Sequence, residues 1–285
     1  MLTTEHVEHY RSFGFAILRE QLDVATVAAL SEEVDRAFRD AFGDRFDERP
    51  DPGGIAGHYL PVMSAARTPV SLRLVERFHP IARRLLGAEA LPAPAEAILL
   101  FDQAAWHDDT GFDVSAVKLA CYLEPLEAGT GALRVLPGSQ LDAYRDLAKS
   151  FDRRVMAQNR EELQLTVERL PAYVCETKPG DVIAFDLRLY HASIHGRDRL
   201  QWTVSYYRDP DTPEQADEVG RALADEVAAD YGSWGEYDPA RYPFYDPEWL
   251  AELERDWRAP AVGRLRQLGV LAAAAAARGT SMPET

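Results

Sequence analysis

Two imidazoles and a carboxylate are the residues of this chain best able to do chemistry together. His107 and Asp109 stand in the run Trp106-His107-Asp108-Asp109, and His191 follows far downstream in Tyr190-His191-Ala192-Ser193. Such a set can hold one face of a ferrous ion and leave the opposite face open to a cosubstrate and dioxygen. Side chains alternate along an extended segment, so His-x-Asp presents both ligands on one side. The third ligand must then come from a distant strand that folds back beside the first. A bare His-x-Asp is weak on its own, because a surface acid beside a hydrogen-bonded histidine has the same signature.

The flanking elements strengthen the reading. In Lys178-Pro179-Gly180-Asp181, Pro and Gly occupy the central positions of a type II turn. Val182-Ile183-Ala184-Phe185-Asp186 then reads as a short buried strand that delivers His191 towards a neighbour. From Ala97 to Tyr207 the pattern is of short strands and turns, with candidate strands at 98–101, 117–123, 133–136, 182–185 and 202–207. Strands and turn signals at this spacing predict a β-sandwich or barrel. A polar, partly helical insertion over 141–170 interrupts them.

Helices flank the strands. Thr3 or Thr4 caps a short helix carrying Val7 and Tyr10, and residues 13–18 read as a strand. A helix from near Asp23 repeats Val27, Leu30, Val34 and Phe38 at three- and four-residue steps. Residues 44–70 read as a long loop holding His58 and Tyr59, which either touch substrate or lie on the surface. Residues 70–86 read as helix with Gly87 as C-cap. After Pro210 the chain is helical again over 216–229. Residues 231–247, with Trp234, Tyr237, Tyr242, Phe244 and Tyr245, form either a lid or packing against the barrel. The alanine run 272–277 favours helix, and 278–285 reads as a loose tail. The organisation expected is one domain over 1–285: N-terminal helices in 1–96, a barrel core in 97–208 and a helical or lid region in 209–285.

Composition narrows the function classes. The chain has 285 residues, 46% of them hydrophobic, enough for a sizeable core. No apolar run is long enough to span a bilayer, and the opening Met1-Leu2-Thr3-Thr4-Glu5 lacks the features of a signal peptide. Cys121 and Cys175 form no CxxC pattern, so the expectation is two packed thiols in a reduced, cytoplasmic protein. The formal net charge of −16 makes nucleic acid a poor partner. It also favours a neutral or cationic small molecule over a polyanionic coenzyme A thioester. No phosphate-binding glycine loop and no dinucleotide fingerprint are present.

Taken together, the motifs resemble the phytanoyl-CoA dioxygenase family of iron(II)- and 2-oxoglutarate-dependent oxygenases over most of residues 3–207. The stretch from Thr3 to Phe15 is similar to the family's first helix and strand, and Trp106-His107-x-Asp109 to its first iron motif. The run Gly131-Ala132-Leu133-Arg134-Val135-Leu136-Pro137-Gly138-Ser139 resembles its Pro-Gly-Ser segment, although Gln140 replaces the histidine usual there. Gly180-Asp181, the strand after it and His191-Ala192-Ser193 resemble the region of the last iron ligand.

The resemblance implies a mainly β fold, a double-stranded β-helix (a jelly-roll or cupin-like barrel) packed against N- and C-terminal helices. It implies Fe(II) held by His107, Asp109 and His191, with His195 the rival for the third place. It implies 2-oxoglutarate and dioxygen as cosubstrates. A late arginine is expected to grip the distal carboxylate of 2-oxoglutarate, Arg199 ahead of Arg197, with Lys118 and Gln103 in support. Trp106, Trp202, His195, His58 and Tyr59 are candidates for the substrate wall. Related halogenases lack the ligand carboxylate, so Asp109 points to hydroxylation, or to desaturation, cyclisation or epimerisation, of a small metabolite, with secondary metabolism a plausible setting. The competing readings are a cupin-like isomerase or hydrolase and a non-catalytic small-molecule binding protein on the same scaffold.

Overall fold

The structure is a computed structural model and describes residues 2–47, 57–158, 169–228, 237–251 and 257–277. In chain order the strands are β1 (Phe15–Leu18), β2 (Gly57–Pro61), β3 (Ala90–Leu100), β4 (Ala104–His107), β5 (Ala116–Tyr122), β6 (Leu133–Val135), β7 (Tyr173–Cys175), β8 (Val182–Asp186), β9 (His191–Ser193) and β10 (Arg199–Arg208). They form a six-stranded sheet in the order β1-β8-β5-β10-β3-β2 and a four-stranded sheet in the order β4-β9-β6-β7. Every pairing is antiparallel. The two sheets face each other across buried Phe15, Tyr122, Leu133, Val135, Ile183 and Phe185, which is the double-stranded β-helix that the sequence motifs implied.

Strand β10 shows how the sequence sorts the two faces. In Arg199-Leu200-Gln201-Trp202-Thr203-Val204-Ser205, polar and apolar residues strictly alternate. The apolar set faces outward. Trp202 and Val204 join the large core formed with α2 (Val24–Phe42) and α3 (Pro69–Leu86), and the Trp202 ring lies 5.8 Å from Phe78. The polar set faces the barrel interior, beside Ala120 and Tyr122 of β5 in register. Polar residues in the middle of a large sheet are retained only where a cavity or ligand meets them.

Helix ends follow the local signals. Thr3 caps α1 (Thr4–Phe13), and Gly14 ends it at φ 81°. Asp23 caps α2 by accepting from the Thr26 amide at 2.7 Å. Thr68 makes no side-chain cap for α3. Instead Glu33, buried on α2, accepts from the Val70 and Ser71 amides at 2.7 Å each. A carboxylate at a helix N-terminus satisfies orphan donors and complements the helix dipole.

Two elements differ from the sequence expectation, and a third resolves an alternative that it left open. Strand β2 lies inside the span read as a loop, so the six-stranded sheet draws on residues before 97. Strand β3 begins at Ala90 and not near 98, because Pro92 and Pro94 obscure its pattern. Strand β2 covers β3 only over Glu96–Leu100, and Pro92 pairs where the β10 register shifts, so both prolines are tolerated. The aromatic C-terminal segment packs rather than projecting: Tyr242, Phe244 and Tyr245 are buried, and the Tyr245 hydroxyl donates to the Pro92 carbonyl at 2.9 Å. Trp234 and the rest of 231–236, residues 48–56 of the expected loop, 159–168 of the insertion and the tail 278–285 lie outside the described residues.

The remaining described helices are α4 (Asp142–Gln158), α5 (Pro213–Ala228), α6 (Pro247–Ala251), α7 (Arg258–Gln267) and α8 (Val270–Ala277). None of the described helices is long and apolar enough to cross a membrane. Cys121 and Cys175 are both buried free thiols.

One buried acid makes stability depend on pH. Burial pushes the Asp186 carboxyl up to about 6, against which the Arg188 amide and guanidinium act only in part. The folded state therefore holds this proton more tightly than the unfolded chain does. Its contribution is complete below the ordinary aspartate value of about 3.9 and is lost as pH rises through 6, on the order of 2–3 kcal/mol in all. Urea unfolding of wild type and Asp186→Asn between pH 4 and 7.5 should show the gap closing at low pH. The variant should be the more stable by that amount at pH 7.5.

Candidate metal centre

The His-x-Asp segment closes β4, and β9 runs antiparallel beside it with His107 directly opposite His191. The two imidazole centroids are 4.2 Å apart. Asp109 is held just past the strand by its amide, which donates to the Leu187 carbonyl at 2.8 Å. Its Oδ1 lies 3.5 Å from His107 Nε2 and 3.4 Å from His191 Nε2. The three side chains offer ligand atoms that all lie within 4.8 Å of one another.

Backbone carbonyls set the tautomers. His107 Nδ1 is 2.7 Å from the Ala105 carbonyl, and His191 Nδ1 is 2.8 Å from the Leu189 carbonyl. A carbonyl only accepts, so each Nδ1 carries a proton and each Nε2 is the nitrogen turned towards Asp109, the one that would bind a metal in place of a proton. Burial, with the neighbouring His107, lowers the His191 pKa and keeps that imidazole neutral. Burial alone would raise the Asp109 carboxyl. The Lys118 ammonium and the two imidazoles outweigh it and hold the carboxyl well below the usual range. Burial works against the charged form of His107, but its contact with Asp109 outweighs it and raises its pKa. Two imidazole nitrogens and an anionic oxygen on one side of a cavity are the donor set a divalent first-row metal takes.

Asp108, between the two, points the other way. It meets Lys149 at 2.5 Å and Arg145 at 3.8 Å, both on α4, so the insertion helix braces the segment that carries the ligands.

The triad opens into a cavity of about 370 Å³ between the sheets. Arg199, at the start of β10, reaches the same cavity and is 1% exposed. It donates to the Gly131 carbonyl at 3.1 Å and to the Asp102 carbonyl at 2.6 Å, while its Nε has no partner. Among the described residues no carboxylate pairs with this guanidinium. Glu124 lies near enough to feel its charge but makes no ion pair with it; a buried guanidinium with no carboxylate bonded to it is costly, so its chemistry fits an anionic ligand. Arg197, the other candidate, is exposed.

Of the other residues singled out from the sequence, Tyr59, Gln103 and Lys118 line the cavity. Lys118 makes its ion pair with Asp109, Nζ to Oδ2 at 2.7 Å. Four candidates for the substrate wall are placed elsewhere. Trp106 alternates away from His107 and stacks on Tyr190, with ring centroids 5.4 Å apart. Trp202 faces the helical core. His58 is buried among aromatics, 4.4 Å from the Phe42 ring and 4.9 Å from Phe101. His195, the rival third ligand, sits exposed in a turn at φ 64°. Gln140 packs against Gly14, outside the cavity.

Among the lining residues that escaped the sequence reading are Tyr122, Ser193 and Gln201. Each shares strand parity with a residue already named, Tyr122 with Lys118, Ser193 with His191 and Gln201 with Arg199, and that alternation was the available signal. Burial pushes the Tyr122 phenol up to about 12, so it is a neutral donor at physiological pH.

Glycine makes room for the arginine. A Cβ on Gly196 would meet Arg199 Nε at 2.4 Å, and one on Gly131 would meet Arg199 Cδ at 2.6 Å and Gly196 Cα at 2.5 Å. Gly131 also has φ 96°. Gly196→Ala should therefore displace the guanidinium while the triad stays intact. The variant is expected to bind metal as wild type does and to lose at least tenfold in affinity for a dicarboxylate cosubstrate, read by titration of the metal-loaded protein.

A jelly-roll barrel with a facial two-histidine, one-carboxylate set beside a buried unpaired arginine defines a metal-dependent oxygenase class of site. The comparisons place the chain within it. Residues 10–197 match the phytanoyl-CoA dioxygenase (PhyH) family, and the chain belongs to that family, of non-haem iron, 2-oxoglutarate-dependent dioxygenases. An ectoine dioxygenase from Bordetella parapertussis is 27% identical over 218 residues, covering 67% of this chain and 70% of the relative. Among solved structures, the non-haem α-ketoglutarate-dependent carbocyclase SnoK from nogalamycin biosynthesis superposes with a TM-score of 0.55 at 19% identity, over 73% of this chain and 85% of that one. HygX from Streptomyces hygroscopicus, solved with nickel and 2-oxoglutarate bound, gives 0.53 at 18% identity, over 75% and 93%.

Proposed function

We propose that this protein hydroxylates an unactivated carbon of a small, neutral or cationic metabolite, with His107, Asp109 and His191 holding Fe(II) and Arg199 holding the distal carboxylate of 2-oxoglutarate. The observation that carries the reading is the buried Arg199 guanidinium, with no carboxylate bonded to it among the described residues, in the same cavity as the triad. When bound, iron and 2-oxoglutarate supply the oxidation of a C–H bond by dioxygen with release of succinate and carbon dioxide.

The chain's own residues bind, orient and keep the site dry. Arg199 offers a planar fork to a carboxylate. Tyr122, Ser193 and Gln201 place hydroxyl and amide groups along the same wall. Ile98, Leu100, Leu133 and Phe185 make the apolar lining that excludes water. Asp109 fills the carboxylate place that related halogenases leave empty, which favours oxygen transfer over halide transfer. The net charge of −16 and a relative that carries the name ectoine dioxygenase support a small solute over an acyl thioester.

Anaerobic titration of the iron-loaded protein with 2-oxoglutarate tests the cosubstrate: a weak visible charge-transfer band should grow to saturation. Turnover should yield succinate. Activity that proceeds without 2-oxoglutarate would instead establish a non-oxidative cupin-like enzyme. For the substrate, conversion of acyl-coenzyme A esters but of no small amine or neutral metabolite would reverse the assignment.

A further inference from the structure

Lys118 sits in the middle of β5 between Val117 and Leu119, on the face that looks into the barrel. A lysine there is out of place unless something holds its charge. Its Nζ lies 2.7 Å from Asp109 Oδ2, while Oδ1 of the same carboxylate is the oxygen turned to both imidazoles. Its other acidic neighbours are Glu226 on α5 and Glu96 on β3. Strand pairing fixes its backbone on both sides, opposite Phe185 and Ser205.

We infer that Lys118 is a positioning residue for the metal: it occupies the outer oxygen of Asp109 so that this carboxylate offers the ion a single oxygen. The inference rests on the metal reading above and departs from the expectation that Lys118 grips the cosubstrate. Its consequence is a matter of counting. On a six-coordinate ion, three protein atoms and the two of a chelating 2-oxo acid would leave one of the six places for dioxygen. A second oxygen from Asp109 would take the last of these.

Metal affinity alone is a poor test, because the lysine's charge repels a cation while its hydrogen bond orients the ligand. The ligand-field spectrum reports the second effect directly. Cobalt(II) is the probe, added anaerobically to wild type, Lys118→Met and Lys118→Gln. The Met variant should lose the wild-type d–d spectrum, and the Gln variant, which keeps an N–H donor without the charge, should recover it. Affinity of the cobalt protein for 2-oxoglutarate should fall no more in Lys118→Gln than threefold. A wild-type spectrum in Lys118→Met would overturn the inference, and so would a tenfold or larger loss of 2-oxoglutarate affinity in both variants with their spectra unchanged. If the Met variant does not fold, a crystal structure of the cobalt-loaded wild type decides. Asp109 bound through one oxygen, with Lys118 on the other, supports the inference; a chelating Asp109 overturns it. Failure of wild type itself to bind cobalt would remove the metal reading, an outcome distinct from all of these.

Discussion

Asp109→Ala is expected to abolish the charge-transfer band and to lower succinate formation by more than the 10–100-fold that loss of an outer partner costs a metal site. Two imidazoles remain, but the only anion of the set is gone, and a dication then has no compensating charge at the ligand positions. The same change acts on the metal-free protein. Lys118 loses the partner 2.7 Å from its Nζ, although Glu96 and Glu226 remain near it. Removing one member of a buried pair strands the other, so the variant should lose roughly 1–3 kcal/mol of stability. Adding Lys118→Met should return much of that stability while metal binding stays lost. Urea unfolding of the metal-free single and double variants, together with the anaerobic titration, separates the two effects. Full turnover in Asp109→Ala would refute the ligand assignment.

Arg199→Lys should raise the 2-oxoglutarate dissociation constant by about 30-fold or more, which corresponds to about 2 kcal/mol. Charge is retained in that variant, so the loss measures geometry. An ammonium is a point donor and cannot present two parallel N–H groups to a carboxylate. The Gly131 and Gly196 backbones pressed against the guanidinium stem fit the shape of arginine and leave a shorter, rounder head poorly supported. Metal binding should be unchanged, because Arg199 touches none of the three ligands. Arg197→Ala, at an exposed position, is the control and should match wild type. An unaltered dissociation constant in Arg199→Lys would move the cosubstrate anchor elsewhere.

Much of this was legible in the chain, and for identifiable reasons. Helix ends marked by Thr3, Asp23 and Gly87 are local events, set by a side chain and the amides or carbonyls next to it. The triad was legible because His-x-Asp and Tyr-His-Ala-Ser carry their chemistry in their residue types. Strand β3 was partly hidden because its prolines are permitted by what its neighbours leave uncovered, a tertiary fact. Trp106 and Trp202 were misplaced through neglect of alternation: a residue beside a cavity-facing position in a strand faces the opposite way. His58 was read as a loop residue, and its burial depends on Phe42 and Phe101, which are 16 and 43 positions away in the chain. The role of Glu33 as a cap for α3 spans 37 positions and left no local trace.

The division of labour between the sheets has a thermodynamic outcome. His107 and His191 belong to the four-stranded sheet, Lys118 and Arg199 to the six-stranded one. An anion chelated by the ion at one end and gripped by Arg199 at the other would rivet the two walls of the sandwich together. Metal and cosubstrate should then raise the melting temperature by more in combination than the sum of their separate increments, and amide exchange in β4 and β9 should slow most when both are present.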